Sequence, residues 1–262
     1  MSGQGPEAAA DSDPFRIDGQ WAVVTGARTG IGRAAALALA RAGANVVLWG
    51  RDRAGLTEVA AEVRALGREC DTVGADLTDP AGAESVATEL AARRRIDLLV
   101  NNAGIISRGP AAEVSLTEWR RVLGVNLDAA FLLSRCFGTA MLARGSGRIV
   151  NIASLLSFQG GVNVASYTAS KHGVAGLTKA LATEWAGAGV GVNAIAPGYI
   201  ATGNTAPLRA DPERNRAISE RIPAGRWGEP GDLAGAVVFL CSPAAAYVHG
   251  HVLVVDGGWT AR

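Results

Sequence analysis

Short apolar runs alternate with longer stretches of helical periodicity along almost the whole chain, and few folds accept that alternation. Residues 21–24 (WAVV), 45–49 (NVVLW), 72–74, 96–100, 148–153, 190–196 and 252–255 read as strands. Between them, the Ala- and Leu-rich stretch 31–42 reads as a helix stopped by Gly43. Leu56, Val59, Val63 and Leu66 mark one face of a second helix, closed by Gly67. Thr78-Asp79-Pro80 opens a third with a capping carboxylate and a first-turn proline. Ser115 and Glu118 have capping-box spacing and start one long helix carrying Val122, Val125, Leu132 and Leu133. Further helices begin at Tyr167 and span 232–240. Apolar strands without hairpin signals need crossover connections, so the sheet is parallel and covered on both faces. The expected fold is α/β: a single doubly wound Rossmann-type domain over residues 15–262 with a seven-stranded parallel sheet. Residues 197–212 form the one long connection, and a lid is expected over 198–215.

With 48% hydrophobic residues, the 262-residue chain can bury the core such a domain needs. A net charge of +1 gives no electrostatic footprint for nucleic acid or an anionic membrane. No apolar run is long enough to span a bilayer. Cys70, Cys136 and Cys241 lie far apart, which reads as reduced, buried thiols in a cytoplasmic protein. Residues 1–14 lack the basic start and apolar run of a signal peptide and read as a disordered extension. His249 and His251 have no carboxylate or cysteine cluster beside them, so no metal site is expected. Arg93, Arg94 and Arg95 read as a solvated helix end.

Two motifs carry chemistry. Thr25-Gly26-Ala27-Arg28-Thr29-Gly30-Ile31-Gly32 joins the first strand to the first helix. Glycines there let backbone N–H groups approach a pyrophosphate, although a helix packing closely on a sheet also needs small residues. Tyr167 and Lys171 stand four apart at the start of a helix whose apolar face is Val174, Leu177, Leu181 and Trp185. A cation beside a phenol favours its ionised form, which suits Tyr167 to general acid/base work. Alone, the pair is a weak signal that recurs by chance in many helices, and a surface contact is its ordinary reading.

Together with Asp76, Asn101-Asn102-Ala103-Gly104, Asn126, Ser154 and Pro197-Gly198, these motifs resemble the short-chain dehydrogenase/reductase family from about residue 19 to residue 262. The resemblance implies an NAD(P)-dependent enzyme acting on CH–OH groups. Tyr167 would be the acid/base, Ser154 would hydrogen-bond the substrate oxygen, Lys171 would hold the nicotinamide ribose, and Asn126 would position a water beside Lys171. Gly26, Arg28, Thr29, Gly30, Ile31, Gly32, Asp76, Leu77, Asn102, Ala103 and Gly104 would line the dinucleotide site with Tyr167 and Lys171. Pro197, Gly198, Ile200 and Thr202 would contact the nicotinamide end.

Segments 154–161, 193–202, 221–228 and 256–262 resemble family members that act on deoxy-keto sugar acids. The expected reaction is hydride transfer between a nicotinamide cofactor and a secondary alcohol or ketone of such an acid. A 3-oxoacyl-thioester or polyol reductase is the alternative within the family, and a nucleotide-binding sensor without turnover is the alternative outside it. Glycine at position 50 followed by Arg51 leans to NADP(H), whereas those sugar-acid relatives are NAD-linked and Asp52 offers a carboxylate for the ribose. Arg108 and Arg209 are expected to anchor the substrate carboxylate, and Gln159 and Asn163 to meet its hydroxyls. Those relatives have an arginine where this chain has Asn163. A homotetramer is expected from the family habit and from the apolar tail 252–255 followed by Gly257, Gly258 and Trp259, with Arg262 reaching a neighbouring subunit's site.

Overall fold

The computed structural model describes residues 13–262. Its chain runs β1 (Trp21–Thr25), α1 (Gly30–Arg41), β2 (Asn45–Gly50), α2 (Thr57–Ala65), β3 (Cys70–Gly74), α3 (Pro80–Arg93), β4 (Leu98–Asn101), α4 (Leu116–Leu123) and α5 (Ala129–Arg144). It continues through β5 (Gly147–Ile152), α6 (Ala165–Trp185), β6 (Val190–Pro197), α7 (Ala206–Ala210), α8 (Pro212–Arg221), α9 (Ala234–Cys241) and β7 (Val252–Val255). All seven strands are parallel in the order β3-β2-β1-β4-β5-β6-β7, the doubly wound sheet expected. The order reverses between β1 and β4. A crevice opens there at the carboxyl ends of the strands, where such sheets hold ligands.

Alternate residues explain why the strand sequences are continuously apolar. Val24, Val46, Leu48 and Val100 join one buried cluster with α1, α2 and α9. Val23, Val47, Trp49 and Leu99 face the other way, into a cluster with α3, α5 and α6. All eight residues of β6 are buried, whereas those of the edge strand β7 are half-buried. Cys70 and Cys241 are free and buried, and burial pushes their thiols up to about 11 and about 12, which makes them inert. Cys136 is only half-buried.

Four local expectations need correction. The helix begun at Ser115 is interrupted by a π-helical turn at Gly124–Asp128 between α4 and α5. Its capping box is half made: Ser115 Oγ accepts from Glu118 N (3.1 Å), but the Glu118 carboxylate turns to the Arg121 fork (2.8 and 2.7 Å). A charged bidentate partner outcompetes one backbone N–H. The connection after β6 is not irregular: α7 occupies Ala206–Ala210, and Asp211 then caps α8 by accepting from Glu213 N and Arg214 N, with Pro212 in its first turn. Arg94 is not simply solvated: it stacks on Trp21 at 3.6 Å and pairs with Asp71 at 2.7 Å. The N-terminal extension falls outside the described residues except at Asp13 and Pro14, where Pro14 O accepts from Ala244 N at 3.0 Å.

Candidate active site

The turn after β1 is built by close approach of backbones. Gly26 and Gly30 hold φ of +64° and +58°, which favours glycine. A Cβ on Gly32 would lie 2.2 Å from Gly26 O and 2.4 Å from Asn102 Nδ2. Asn102 Nδ2 donates to Thr25 O (2.8 Å) and Gly26 O (3.3 Å), while Thr25 Oγ1 accepts from Asn102 N (3.0 Å) and Ala103 N (2.9 Å). The loops after β1 and β4 are thus one unit. Thr29, at the N-terminus of α1, makes no side-chain capping bond, so the first-turn N–H groups stay open to an anion.

A cleft of about 470 Å³ runs over this turn. Of the expected dinucleotide residues, Gly26, Arg28, Thr29, Gly30, Ile31, Arg51, Asp76, Leu77, Asn102, Ala103, Gly104, Tyr167, Lys171 and Thr202 line it. Gly32 lies beneath the turn. Pro197 and Ile200 are buried and do not line the cleft, and Gly198 packs against Asp256, with 2.6 Å from its would-be Cβ to Asp256 Cα. Arg121, Val125, Ile105 and Thr78 line the cleft without having been singled out. Helical spacing was the available signal for two of them, because Arg121 precedes Val125 by four residues and Val125 adjoins Asn126.

The polar groups at the inner end are tightly constrained. Lys171 is buried, and its Nζ donates to Ile152 O at 2.6 Å and lies 5.6 Å from the Tyr167 ring centroid. Asn126, on the π-helical turn, accepts from Ile105 N (2.8 Å) and donates to Ile105 O (3.0 Å) and Ser170 Oγ (3.0 Å). Ser170 Oγ in turn donates to Tyr167 O at 2.7 Å, and Ser157 Oγ to Lys171 O at 2.6 Å. Gly104 leaves room for this cluster, as its would-be Cβ falls 3.3 Å from Asn126 Oδ1 and 3.8 Å from Lys171 Nζ.

Desolvation dominates the electrostatics of Tyr167 and Lys171. Burial pushes the Tyr167 phenol up; the Ser154 hydrogen bond and the Arg108 charge pull it back. Burial also brings the Lys171 ammonium down, to about 8. The phenol is therefore held protonated, and the nearby Ser154 Oγ accepts from Leu156 N at 3.2 Å.

The expected substrate residues gather less closely. Arg108 is exposed and donates to Asn204 O at 2.8 Å, tying the loop after β4 to the segment after β6. Arg209 reaches Thr202 O at 3.3 Å. Asn163 takes φ +60° and its carbonyl accepts from Gly109 N at 2.9 Å, while Gln159 is half-buried. Arg262 bonds Glu220 O on α8 of its own chain at 2.9 Å.

Comparison with known proteins fits this arrangement. A family model described as enoyl-(acyl carrier protein) reductase matches residues 26–260. The 2-dehydro-3-deoxy-D-gluconate 5-dehydrogenase of Bacillus subtilis is 52% identical over 250 residues, covering 95% of this chain and 98% of that one. The L-tagatose-forming galactitol 2-dehydrogenase of Cereibacter sphaeroides is 46% identical over 250 residues, covering 94% and 97%. A solved structure from Beutenbergia cavernae, described as a candidate NAD(P)-dependent gluconate 5-dehydrogenase with NADP at low occupancy, has a TM-score of 0.94 at 66% identity, covering 95% of this chain and 100% of that one. A glycine turn fused to the loop after β4, a tyrosine and lysine one helical turn apart on the same cleft, and matches over nearly the whole length lead to one assignment: the chain belongs to the short-chain dehydrogenase/reductase family.

Proposed function

We propose that this chain is an NAD(P)-dependent oxidoreductase that interconverts a secondary alcohol and a ketone on a deoxy-keto sugar acid of the 2-dehydro-3-deoxy-D-gluconate type. The observation that carries the reading is the placement of Tyr167 and Lys171 on the wall of the cleft that begins at the glycine turn. Identity of 52% to a dehydrogenase named for that acid gives the substrate class.

The residues fit a dinucleotide: the uncapped start of α1 suits a pyrophosphate, and the space at Gly26 and Gly32 is space a Cβ would fill. When bound, the nicotinamide supplies the hydride acceptor or donor. The protein's part is proton transfer and orientation. In the oxidative direction Tyr167 takes the carbinol proton as the hydride leaves the same carbon, and in the reductive direction it returns that proton to the ketone oxygen. Ser154 hydrogen-bonds that oxygen. Lys171 orients the nicotinamide ribose, and Asn126 holds the loop carrying Ile105 against α6 and positions a water toward Lys171. Arg108 and Arg209 offer their guanidinium groups to the substrate carboxylate.

NADP(H) is the preferred cofactor in this reading. Arg51 is exposed on the cleft wall, whereas Asp52 Oδ1 is engaged by Ala54 N at 3.0 Å. An Arg51→Ala variant should lose about 10-fold in kcat/KM with NADP while keeping its NAD value. Retention of the NADP preference would remove Arg51 from the role. The half-buried edge strand β7 supports a homotetramer, which light scattering would read as four chain masses. Among the described residues no helix is long and apolar enough to cross a membrane, consistent with the cytoplasmic placement proposed here.

A polyol substrate is the second reading, favoured by the 46% identity to the galactitol-named relative. The deciding experiment is a panel of aldonates, deoxyaldonates, hexuronates, neutral polyols and a 3-oxoacyl thioester, each with NAD and NADP. The sugar-acid reading expects the highest kcat/KM on a deoxy-keto hexonate. Activity confined to polyols or the thioester would overturn it.

A further inference from the structure

The C-terminal segment does something that strand completion does not require. After β7 the chain turns on Asp256, whose carboxylate accepts from Gly258 N (2.8 Å), Thr260 N (2.8 Å) and Thr260 Oγ1 (2.7 Å). Gly257 and Gly258 hold φ of +65° and +90°, and their would-be Cβ atoms fall 2.9 Å from Ile222 and 3.0 Å from Pro223. The turn is therefore pressed onto the end of α8 and delivers Trp259 inward, where it is 5% exposed.

Trp259 there joins three separate parts of the substrate side. It forms one buried cluster with Leu155, the residue after Ser154, with Ile218 of α8 and with Ile222 just past its end; Leu208 of α7 and Tyr199 pack against that cluster. Its ring lies 4.6 Å from the Tyr199 ring, and the Arg221 guanidinium covers it at 3.9 Å. Arg262 then bonds Glu220 O at 2.9 Å. No residue of this cluster lines the dinucleotide cleft. The indole Nε1–H is buried without a partner among the described residues, so packing and the cation over the ring hold it rather than a hydrogen bond.

We infer that Trp259 is a positioning residue: it clamps the α7–α8 lid to the turn that carries Ser154, so that lid and substrate-binding hydroxyl keep a fixed relation. The inference rests on the hydride-transfer reading for its kinetic consequence but not for its structural one. The loss of side-chain volume in Trp259→Ala would leave α8 without its inner face. Phenylalanine keeps the aromatic stack and gives up only an N–H that has no partner.

The test uses the full chain as wild type, Trp259→Ala and Trp259→Phe. Lid arginines Arg209, Arg214, Arg216 and Arg221 are exposed and give trypsin its readout. Native-state cleavage after these four should accelerate about 10-fold or more in the Ala variant and by about 2-fold or less in the Phe variant, with cleavage elsewhere unchanged. With 2-dehydro-3-deoxy-D-gluconate, kcat/KM should fall about 10-fold in the Ala variant and recover in the Phe variant, while the NADP dissociation constant stays within about 2-fold. Unchanged lid cleavage, or cleavage accelerated equally across the chain, overturns the clamp. So does a kinetic loss that NADP affinity shares. If wild type shows no turnover on the sugar acid, the functional reading fails while the cleavage pattern still decides the clamp.

Discussion

The two halves of the candidate site are held together by different physics. On the dinucleotide side, backbone meets backbone: Gly32 has 2.2 Å between its would-be Cβ and Gly26 O, and Thr25 Oγ1 accepts from two amides of the facing loop. On the substrate side, exposed arginines reach single carbonyls, as Arg108 does to Asn204 O and Arg209 to Thr202 O, and an aromatic cluster supplies the packing. The first kind of contact tolerates almost no substitution. The second can change charge and shape without disturbing the sheet, which is how one scaffold serves different substrates. Tyr167 stands at the boundary, lining the cleft with Ser154 acting on its phenol.

That boundary gives the largest expected effect. Tyr167→Phe keeps the ring and removes the proton carrier, so kcat should fall roughly 1,000-fold while NADP affinity changes about 2-fold or less. Retention of more than a tenth of wild-type kcat would remove Tyr167 from the acid/base role. Because burial holds the phenol protonated, ketone reduction should be flat through neutral pH, and alcohol oxidation should rise as the pH becomes alkaline. Gly32→Ala breaks the dinucleotide side alone: its methyl has no room without moving backbone, and NADP affinity measured by calorimetry should fall about 100-fold. Affinity within about 3-fold of wild type would mean that the turn is softer than its geometry.

Lys171 sharpens the comparison through stability. Its folded pKa of about 8 lies below the ordinary lysine value, so between the two the unfolded chain binds more protons and stability rises with pH. Below about 8 the folded state carries the full cost of the buried charge, on the order of 3 kcal/mol. Lys171→Met should therefore lose turnover yet melt a few degrees higher at neutral pH, with the gain shrinking as the pH rises above about 8. A lower Tm at every pH would contradict this. The smallest effect belongs to the substrate side: Arg108→Gln should raise the KM for the sugar acid about 5-fold with NADP affinity unchanged. An equal loss for acids and neutral polyols would place Arg108 in lid tethering alone.

The same contrast decides what the sequence could reveal. Strand positions and the glycine turn were legible because burial on both faces and backbone proximity leave few residue types acceptable at 21–25 and 26–32. Asn126 was legible by resemblance, but its π-helical turn was not, since the residues around it continue a helical pattern on both sides. The Asp211 cap was missed because Pro212 at a first-turn position looks like any loop proline in an exposed, charged stretch. Arg121 was missed for a related reason. Its fork pairs with Glu118 three residues away, the ordinary pattern of a solvated helix face, and only the fold turns that face toward the cleft. The burial that raises the Tyr167 phenol and lowers the Lys171 ammonium was not legible, because residue spacing carries no information on desolvation.

The central claim is that a hydride leaves the substrate's carbinol carbon for the dinucleotide while Tyr167 takes the hydroxyl proton. The direct measurement uses 2-dehydro-3-deoxy-D-gluconate deuterated at C5, the carbinol carbon that the similar 5-dehydrogenase is named for, with mass analysis of the reduced dinucleotide from wild type and Tyr167→Phe. The account predicts deuterium in the dinucleotide from wild type and almost none from the Phe variant, although that variant still binds NADP. Deuterium released to solvent, or transfer by the Phe variant at the wild-type rate, would contradict it.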